Sequence, residues 1–202
     1  MTILGLSEAA LIMIQDILES RGNYCALEIV NNMKIFPTKQ YIHSHFTIEL
    51  KEHWSPDLDG YVVGAMQPET KKRIVECFNE VSKEEYISLR HEKSTLSKMS
   101  IIGKGVLIDA GAVISAYAEI GNFATIYTNA VISHHCKLGE YVTICPSASL
   151  AGNVDVGEGT MIGIGAVVKN GVKIGSNCLI GAGSVVVKDI PDNSVVKGNP
   201  AK

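Results

Sequence analysis

The chain has 202 residues and a formal net charge of −3, with room for one or two domains. It carries no basic field of the kind that binds nucleic acid or an acidic membrane surface. Its cysteines (Cys25, Cys77, Cys136, Cys145, Cys178) are an odd, widely spaced set without a C-x-x-C pair, which excludes a disulfide framework and suits a reducing cytosol. Residues 1–18 lack a basic n-region and hold Glu8 and Asp16, so the reading is neither signal peptide nor membrane span, and a cytoplasmic location is expected.

Thr2 to Leu4 reads as a strand, Gly5-Leu6-Ser7 as a turn, and Glu8 to Ser20 as a helix with Leu11, Ile14 and Leu18 on one face. Tyr24 to Val30 reads as a second strand, closed by Asn31-Asn32. Asp59-Gly60 precedes a third, Tyr61 to Gly64. Pro68 opens a second helix, as N1 prolines do, running to about Val81 with Ile74 and Phe78 facing in. Tyr86 to Leu89 reads as a fourth strand and His91 to Ser100 as a linker. The alternation implies a small parallel α/β unit, Rossmann-like, over residues 1–92. Gly5-Leu6-Ser7 admits two readings, a one-glycine phosphate loop or a plain turn with Ser7 as N-cap. So does Asn31-Asn32, as a contact for a base or ribose edge or as a polar turn.

From Ile102 the chain reads in sixes. A branched aliphatic stands at every first position through Ile108, Ile114, Ile120, Ile126, Ile132, Leu138, Ile144 and on to Val186, fifteen hexads without a slip. The fifth position stays small, as at Ala112, Ala118, Ala124, Cys136 and Ser184, and glycine recurs at the second, as at Gly103, Gly121, Gly139 and Gly157. Neither a helix at 3.6 nor a hairpin at 2 has this period. It specifies a parallel β-solenoid of three short strands per eighteen-residue coil, placed over residues 93–202. The first position points into the prism and the fifth fills the narrow place where walls converge. The second-position glycines are expected to serve corners with φ > 0. Five coils at about 4.8 Å each give a prism roughly 24 Å tall.

Two adjacent histidines lie in the prism, His134 and His135. His134 is a third-position residue on a corner, and eighteen residues on, one coil above, lies Gly152. That register puts an imidazole about 5 Å from a backbone N–H with no side chain over it. A general base beside an unshielded amide donor is what acyl transfer needs, the base taking the nucleophile's proton and the amide holding the oxyanion. The competing reading is a solvated corner histidine. A shared metal site would want three converging histidines, so none is expected. His43, His45, His53 and His91 read as surface or linker residues.

The unbroken hexads resemble the left-handed β-helix, hexapeptide-repeat acyltransferases. More narrowly, the whole chain resembles the bacterial nucleotide-amino-sugar N-acetyltransferases (sialic-acid O-acetyltransferase-like family). The likeness rests on a small α/β domain before the prism, on the run Thr128-Asn129-Ala130-Val131-Ile132-Ser133-His134-His135-Cys136, on Ala151-Gly152-Asn153-Val154, and on the tail Val196-Lys197-Gly198-Asn199-Pro200-Ala201-Lys202. The resemblance implies a homotrimer with acetyl-CoA in the groove between adjacent prisms, His134 as base and Gly152 near the acetyl carbonyl. It implies Thr143, Ile164 and Ala182 along the CoA arm and Lys202 at a CoA phosphate. It further implies Gly5, Leu6, Ser7, Asn31, Asn32 and Gly64 around the sugar nucleotide. The chain departs from the family at His135, where a carboxylate usually orients the base, and Glu140 or a neighbouring chain's carboxylate is a candidate substitute. The expected activity is acetyl transfer from acetyl-CoA to the amine of a UDP-, dTDP- or GDP-linked 4-amino sugar. O-acetylation of a sialic-acid-like sugar or small hydroxy acceptor, and a non-catalytic binding module, are the alternatives.

Overall fold

The computed structural model describes residues 2–4, 8–21, 27–30, 48–51 and 60–202. Strands β1 (Thr2–Leu4), β2 (Leu27–Val30), β3 (Ile48–Lys51) and β4 (Tyr61–Val63) form one parallel sheet in the order β3-β2-β1-β4. Strand β3 is an addition to the sequence reading, although its Ile-Glu-Leu-Lys alternation is the pattern of a half-buried strand. Helix α1 (Glu8–Ser20) buries Leu11, Ile14, Ile17 and Leu18, an i, i+3, i+6, i+7 stripe. Helix α2 (Pro68–Cys77) starts on its proline and stops four residues short of the expected end. There Phe78 leaves helical geometry, its N–H still bonded to the Ile74 carbonyl and its ring buried in the core.

The prism is a left-handed parallel β-helix of six coils, followed by one further strand, Val195–Val196. Its first coil is Leu89–Arg90, Thr95–Leu96 and Ile101–Ile102, paired in register with Leu107–Ile108, Val113–Ile114 and Glu119–Ile120. The expected fourth strand and linker are therefore both corrected. Tyr86 makes only a single bridge to Tyr61, while Leu89–Arg90 opens a prism wall and residues 91–100 belong to the first coil. Leu96 keeps the six-residue step, but Arg90 stands in the aliphatic register and ends the run that makes the ladder visible.

First-position aliphatics from Ile108 to Val186 and fifth-position residues from Val106 to Ser184 are all buried, as the hexads require. The role assigned to the second-position glycines is corrected. Positive φ falls instead on the fourth position, from Gly105 and Gly111 through Tyr117, Phe123, Asn129, His135 and Tyr141 to Gly183. The second-position glycines answer to close approach between coils. A Cβ on Gly139 would lie 2.6 Å from the Glu158 nitrogen, and one on Gly157 2.5 Å from the Ser176 nitrogen.

The three walls differ on their outer faces. One presents Glu119, Lys137, Asp155 and Lys173 to solvent, with Lys137 paired to Glu119 at 3.2 Å. A second, through Leu107, Thr125 and Thr143, lies beneath the α/β unit. The third sets out Val113, Val131, Ser149, Val167 and Val185, a mostly aliphatic face on which Val167 is exposed and the others are half-buried.

The α/β unit packs on its own prism. Phe123 and Tyr141 stack at 5.1 Å between ring centroids, and Tyr86 meets Phe123 edge-on at 4.9 Å, in one cluster with Leu4, Tyr61, Ile74 and Phe78. At the centre of the contact stands Lys71 of α2, 1% exposed. Its Nζ lies within hydrogen-bonding distance of four acceptors, the carbonyls of Phe123 (2.9 Å) and Val142 (3.3 Å) and the hydroxyls of Thr125 (3.1 Å) and Thr143 (3.0 Å). Exposed pairs Lys72–Glu158, Lys83–Glu140 and Lys104–Glu84 follow the adjoining corner. Such pairs contribute about 0–1 kcal/mol each, so the aromatic stack and the apolar cluster around it outweigh them in the docking.

Candidate active site

Three stacked third-position residues make the site: His134, Gly152 and Asn170, following the paired strands Val131–Ile132, Ser149–Leu150 and Val167–Val168. The His134 ring lies directly against Gly152. A Cβ at Gly152 would fall 2.4 Å from His134 Cε1 and 2.6 Å from Nε2, so only glycine leaves room for this ring position. The backbone around it is firmly held. Asn153 N–H donates to the His134 carbonyl (3.0 Å), and the Gly152 carbonyl accepts from Gly171 N–H (3.0 Å) and Asn170 Nδ2 (2.7 Å). The Gly152 N–H has no acceptor among the described residues. A base nitrogen and an uncommitted amide donor thus share one corner, as the eighteen-residue register implies.

His135 occupies the left-handed fourth position, with φ 57. Its Nδ1 lies 3.1 Å from His134 Nδ1, and its ring packs at a tilt against Tyr117, one coil below, at 4.9 Å and 31°. Glu140 does not take the carboxylate place. It sits on a different corner, where it accepts from Asn122 Nδ2 (2.7 Å) and Lys83 Nζ (3.1 Å). Tyr117 and Asn170 were readable in principle, since each is a multiple of eighteen residues from a histidine of the pair, but neither is reactive enough to draw notice alone.

Among the residues assigned to the CoA arm, Ile164 and Ala182 are exposed on a second corner, stacked with Pro146. Within one chain that corner and the His134 corner are separated by the full width of the valine wall. Thr143 lies on the wall beneath the α/β unit. It is 0% exposed, accepts from Lys71 and donates to the Met66 carbonyl (2.9 Å), so its hydroxyl is spent inside the chain. Lys202 is exposed on the C-terminal cap, where its backbone pairs with Lys197 and Ala201 N–H bonds the Val185 carbonyl (2.9 Å). Gly64 extends β4, its N–H donating to the Leu4 carbonyl (2.8 Å) at the carboxyl edge of the sheet. Gly5, Leu6, Ser7, Asn31 and Asn32 lie outside the described residues, as do Cys25, His43, His45 and His53. His91 is buried, accepting from Lys93 N–H (3.0 Å) on Nδ1 and meeting Asp16 of α1 through Nε2 (3.4 Å), so it ties the first coil to the α/β unit.

Burial pushes the Cys145 and Cys136 thiols up and the Tyr127 phenol well up, which keeps all three neutral near pH 7 and unsuited to nucleophilic work. No group of three or more His, Cys, Asp or Glu among the described residues is arranged to hold a metal ion. None of the described helices is long and apolar enough to cross a membrane.

Residues 153–188 match the family model for the bacterial transferase hexapeptide (six repeats). Among curated proteins no sequence matches the chain. The fold is similar over 100% of this chain to the acetyltransferase domain of PglB from Neisseria gonorrhoeae FA1090, solved also in complex with acetyl coenzyme A. There the TM-score is 0.87 at 28% identity, with 98% of that chain covered in the complex. GDP-perosamine N-acetyltransferase from Caulobacter crescentus is similar at TM-score 0.85 and 27% identity, over 100% of this chain and 94% of that one. It was solved as a histidine-to-alanine mutant in complex with CoA and GDP-perosamine. WeeI from Acinetobacter baumannii AYE shares the fold at TM-score 0.84 and 20% identity, over 100% of this chain and 97% of that one.

Proposed function

We propose that this chain is an acetyl-CoA-dependent N-acetyltransferase acting on the amine of a nucleotide-linked amino sugar. The observation that carries the reading is the His134 imidazole lying on Gly152, whose amide N–H has no acceptor among the described residues. Likeness over the whole chain to an acetyltransferase domain solved with acetyl-CoA, and to a GDP-perosamine N-acetyltransferase solved with CoA and GDP-perosamine, supports the substrate class. The neutral amine attacks the thioester carbonyl while His134 Nε2 removes its proton, and the Gly152 N–H donates to the oxyanion that forms. The tetrahedral intermediate collapses to amide and CoA thiol.

The reading places acetyl-CoA between two prisms. The His134 corner of one chain would face the Pro146–Ile164–Ala182 corner of the next across the valine wall, in a homotrimer. This would bring together two residue groups that one chain holds apart, and would cover the valine wall on which Val167 is exposed. Acetyl-CoA is a co-substrate here, and the chemistry calls for no metal. The α/β unit would serve as a Rossmann-like nucleotide holder, with the parallel order β3-β2-β1-β4 and Gly64 at its carboxyl edge in support. Residues 5–7, 31 and 32 would complete it.

The test is thiol release from acetyl-CoA against a panel of UDP-, dTDP-, GDP- and CMP-linked amino and hydroxy sugars. Turnover confined to a nucleotide-linked amine is expected. His134→Ala should lower kcat by roughly 10²–10⁴ with little change in acetyl-CoA affinity. Turnover with hydroxyl acceptors alone, or full activity in His134→Ala, would refute the reading.

A further inference from the structure

We propose that His135 is a proton relay behind His134, carrying the base's proton to and from water; this rests on the reading of His134 as the base. The two Nδ1 atoms are 3.1 Å apart, so between them they share one hydrogen and one lone pair. His134 can accept at Nε2, the nitrogen facing Gly152, only if its own hydrogen sits on Nδ1. The His135 Nδ1 is then the acceptor, and the His135 hydrogen sits on Nε2. A carboxylate in that place would hold an imidazolium by charge and keep the proton where it is. A neutral imidazole cannot stabilise the charge that way, but it has a second nitrogen through which the proton can leave. Its ring is exposed in the chain and is fixed against Tyr117.

The steps balance. As the C–N bond forms, His134 Nε2 takes the amine proton. The His134 Nδ1–H bond breaks as His135 Nδ1–H forms, and His135 Nε2–H gives its proton to water. As the C–S bond breaks, His134 Nε2–H protonates the departing thiolate. The Nδ1 proton returns from His135 to His134, and His135 Nε2 recovers a proton from water. Both rings end in their starting tautomers, amine and thioester have become amide and thiol, and no imidazolium has to persist. This accounts for a site that works without the usual carboxylate and for a second imidazole packed rather than left loose at an exposed corner.

The test compares His135→Asn with wild type in weak buffer, using acetyl-CoA and the fastest acceptor of the panel above. Asparagine still accepts from His134 Nδ1–H but cannot pass a proton on. A kcat lower by about ten-fold, an unchanged KM for acetyl-CoA and saturable recovery on adding imidazole are expected, with wild type insensitive to the buffer. His135→Ala should behave alike, and the proton inventory in mixed light and heavy water should be curved for wild type and linear for His135→Asn. Wild-type kcat in His135→Asn, or a loss that imidazole leaves unrepaired, would overturn the relay. An inert His134→Ala beside such a result leaves the base in place and removes only the relay. An active His134→Ala, or a panel with no turnover, removes both.

Discussion

Gly152 shows how much one missing carbon decides. The His134 ring and the Asn170 amide both close on the place a side chain would take, and an added Cβ would sit 2.4 Å from the ring and 3.1 Å from Asn170 Nδ2. Gly152→Ala should therefore push the exposed ring off the corner and lower kcat on the order of 10²-fold, while the thermal midpoint stays close to wild type. A Gly152→Ala enzyme with unchanged kcat would show that the ring position is irrelevant to turnover. The pairing of His134 with Gly152 was legible from counting alone, because parallel coils in register turn an eighteen-residue interval into a contact. The bond between the two Nδ1 atoms was not, because it depends on the left-handed turn at His135, and nothing in the residue type announces that turn. The burial of Thr143 escaped for a related reason. A hydroxyl on an outer face reads as available until the helix that covers it is in place.

At the scale of elements, the hexads gave nearly every prism strand, while the α/β unit was read more coarsely. Polar residues explain the difference. Arg90 in the ladder register hid the first coil, and the short β3 carries no turn signal strong enough to frame it. The contact between α2 and the prism hinges on Lys71, a residue whose type predicts exposure. Burial drives its ammonium down to about 7 from the ordinary 10.5. The unfolded chain therefore holds this proton up to the ordinary lysine range while the folded chain sheds it from about pH 7 upward. The unfolded state binds more protons across that window, so this group adds to stability as pH rises from about 7 toward 10. Comparing wild type with Lys71→Met by urea unfolding at pH 6 and pH 9 should reveal a shift of about 1–3 kcal/mol in favour of wild type at the higher pH. A pH-independent difference would mean that the four surrounding oxygens hold the charge in full.

For the whole molecule, the instructive feature is the unevenness of the three walls. One is charged, one lies under the α/β unit, and one lines up Val113, Val131, Val167 and Val185, with Val167 46% exposed. An aliphatic strip of this kind on a rigid wall suits the chain-to-chain contact proposed above. Val167→Glu should convert the expected trimer into monomers by sedimentation equilibrium and abolish turnover while the fold persists, since the substituted side chain points outward. A variant that stays active as a monomer would separate the chemistry from assembly. Stacked coils make height along the prism a counted quantity, about 4.8 Å per level. His134 stands on the third coil, and the tail that carries Lys202 lies one level above the sixth, bonding Val185 and Lys197. The interval is four levels, on the order of 19 Å along the axis. The solenoid is in this sense a gauge, and a long flexible cofactor arm laid along it is measured against fixed graduations, so that adding or removing one coil would move its reactive end by a whole notch.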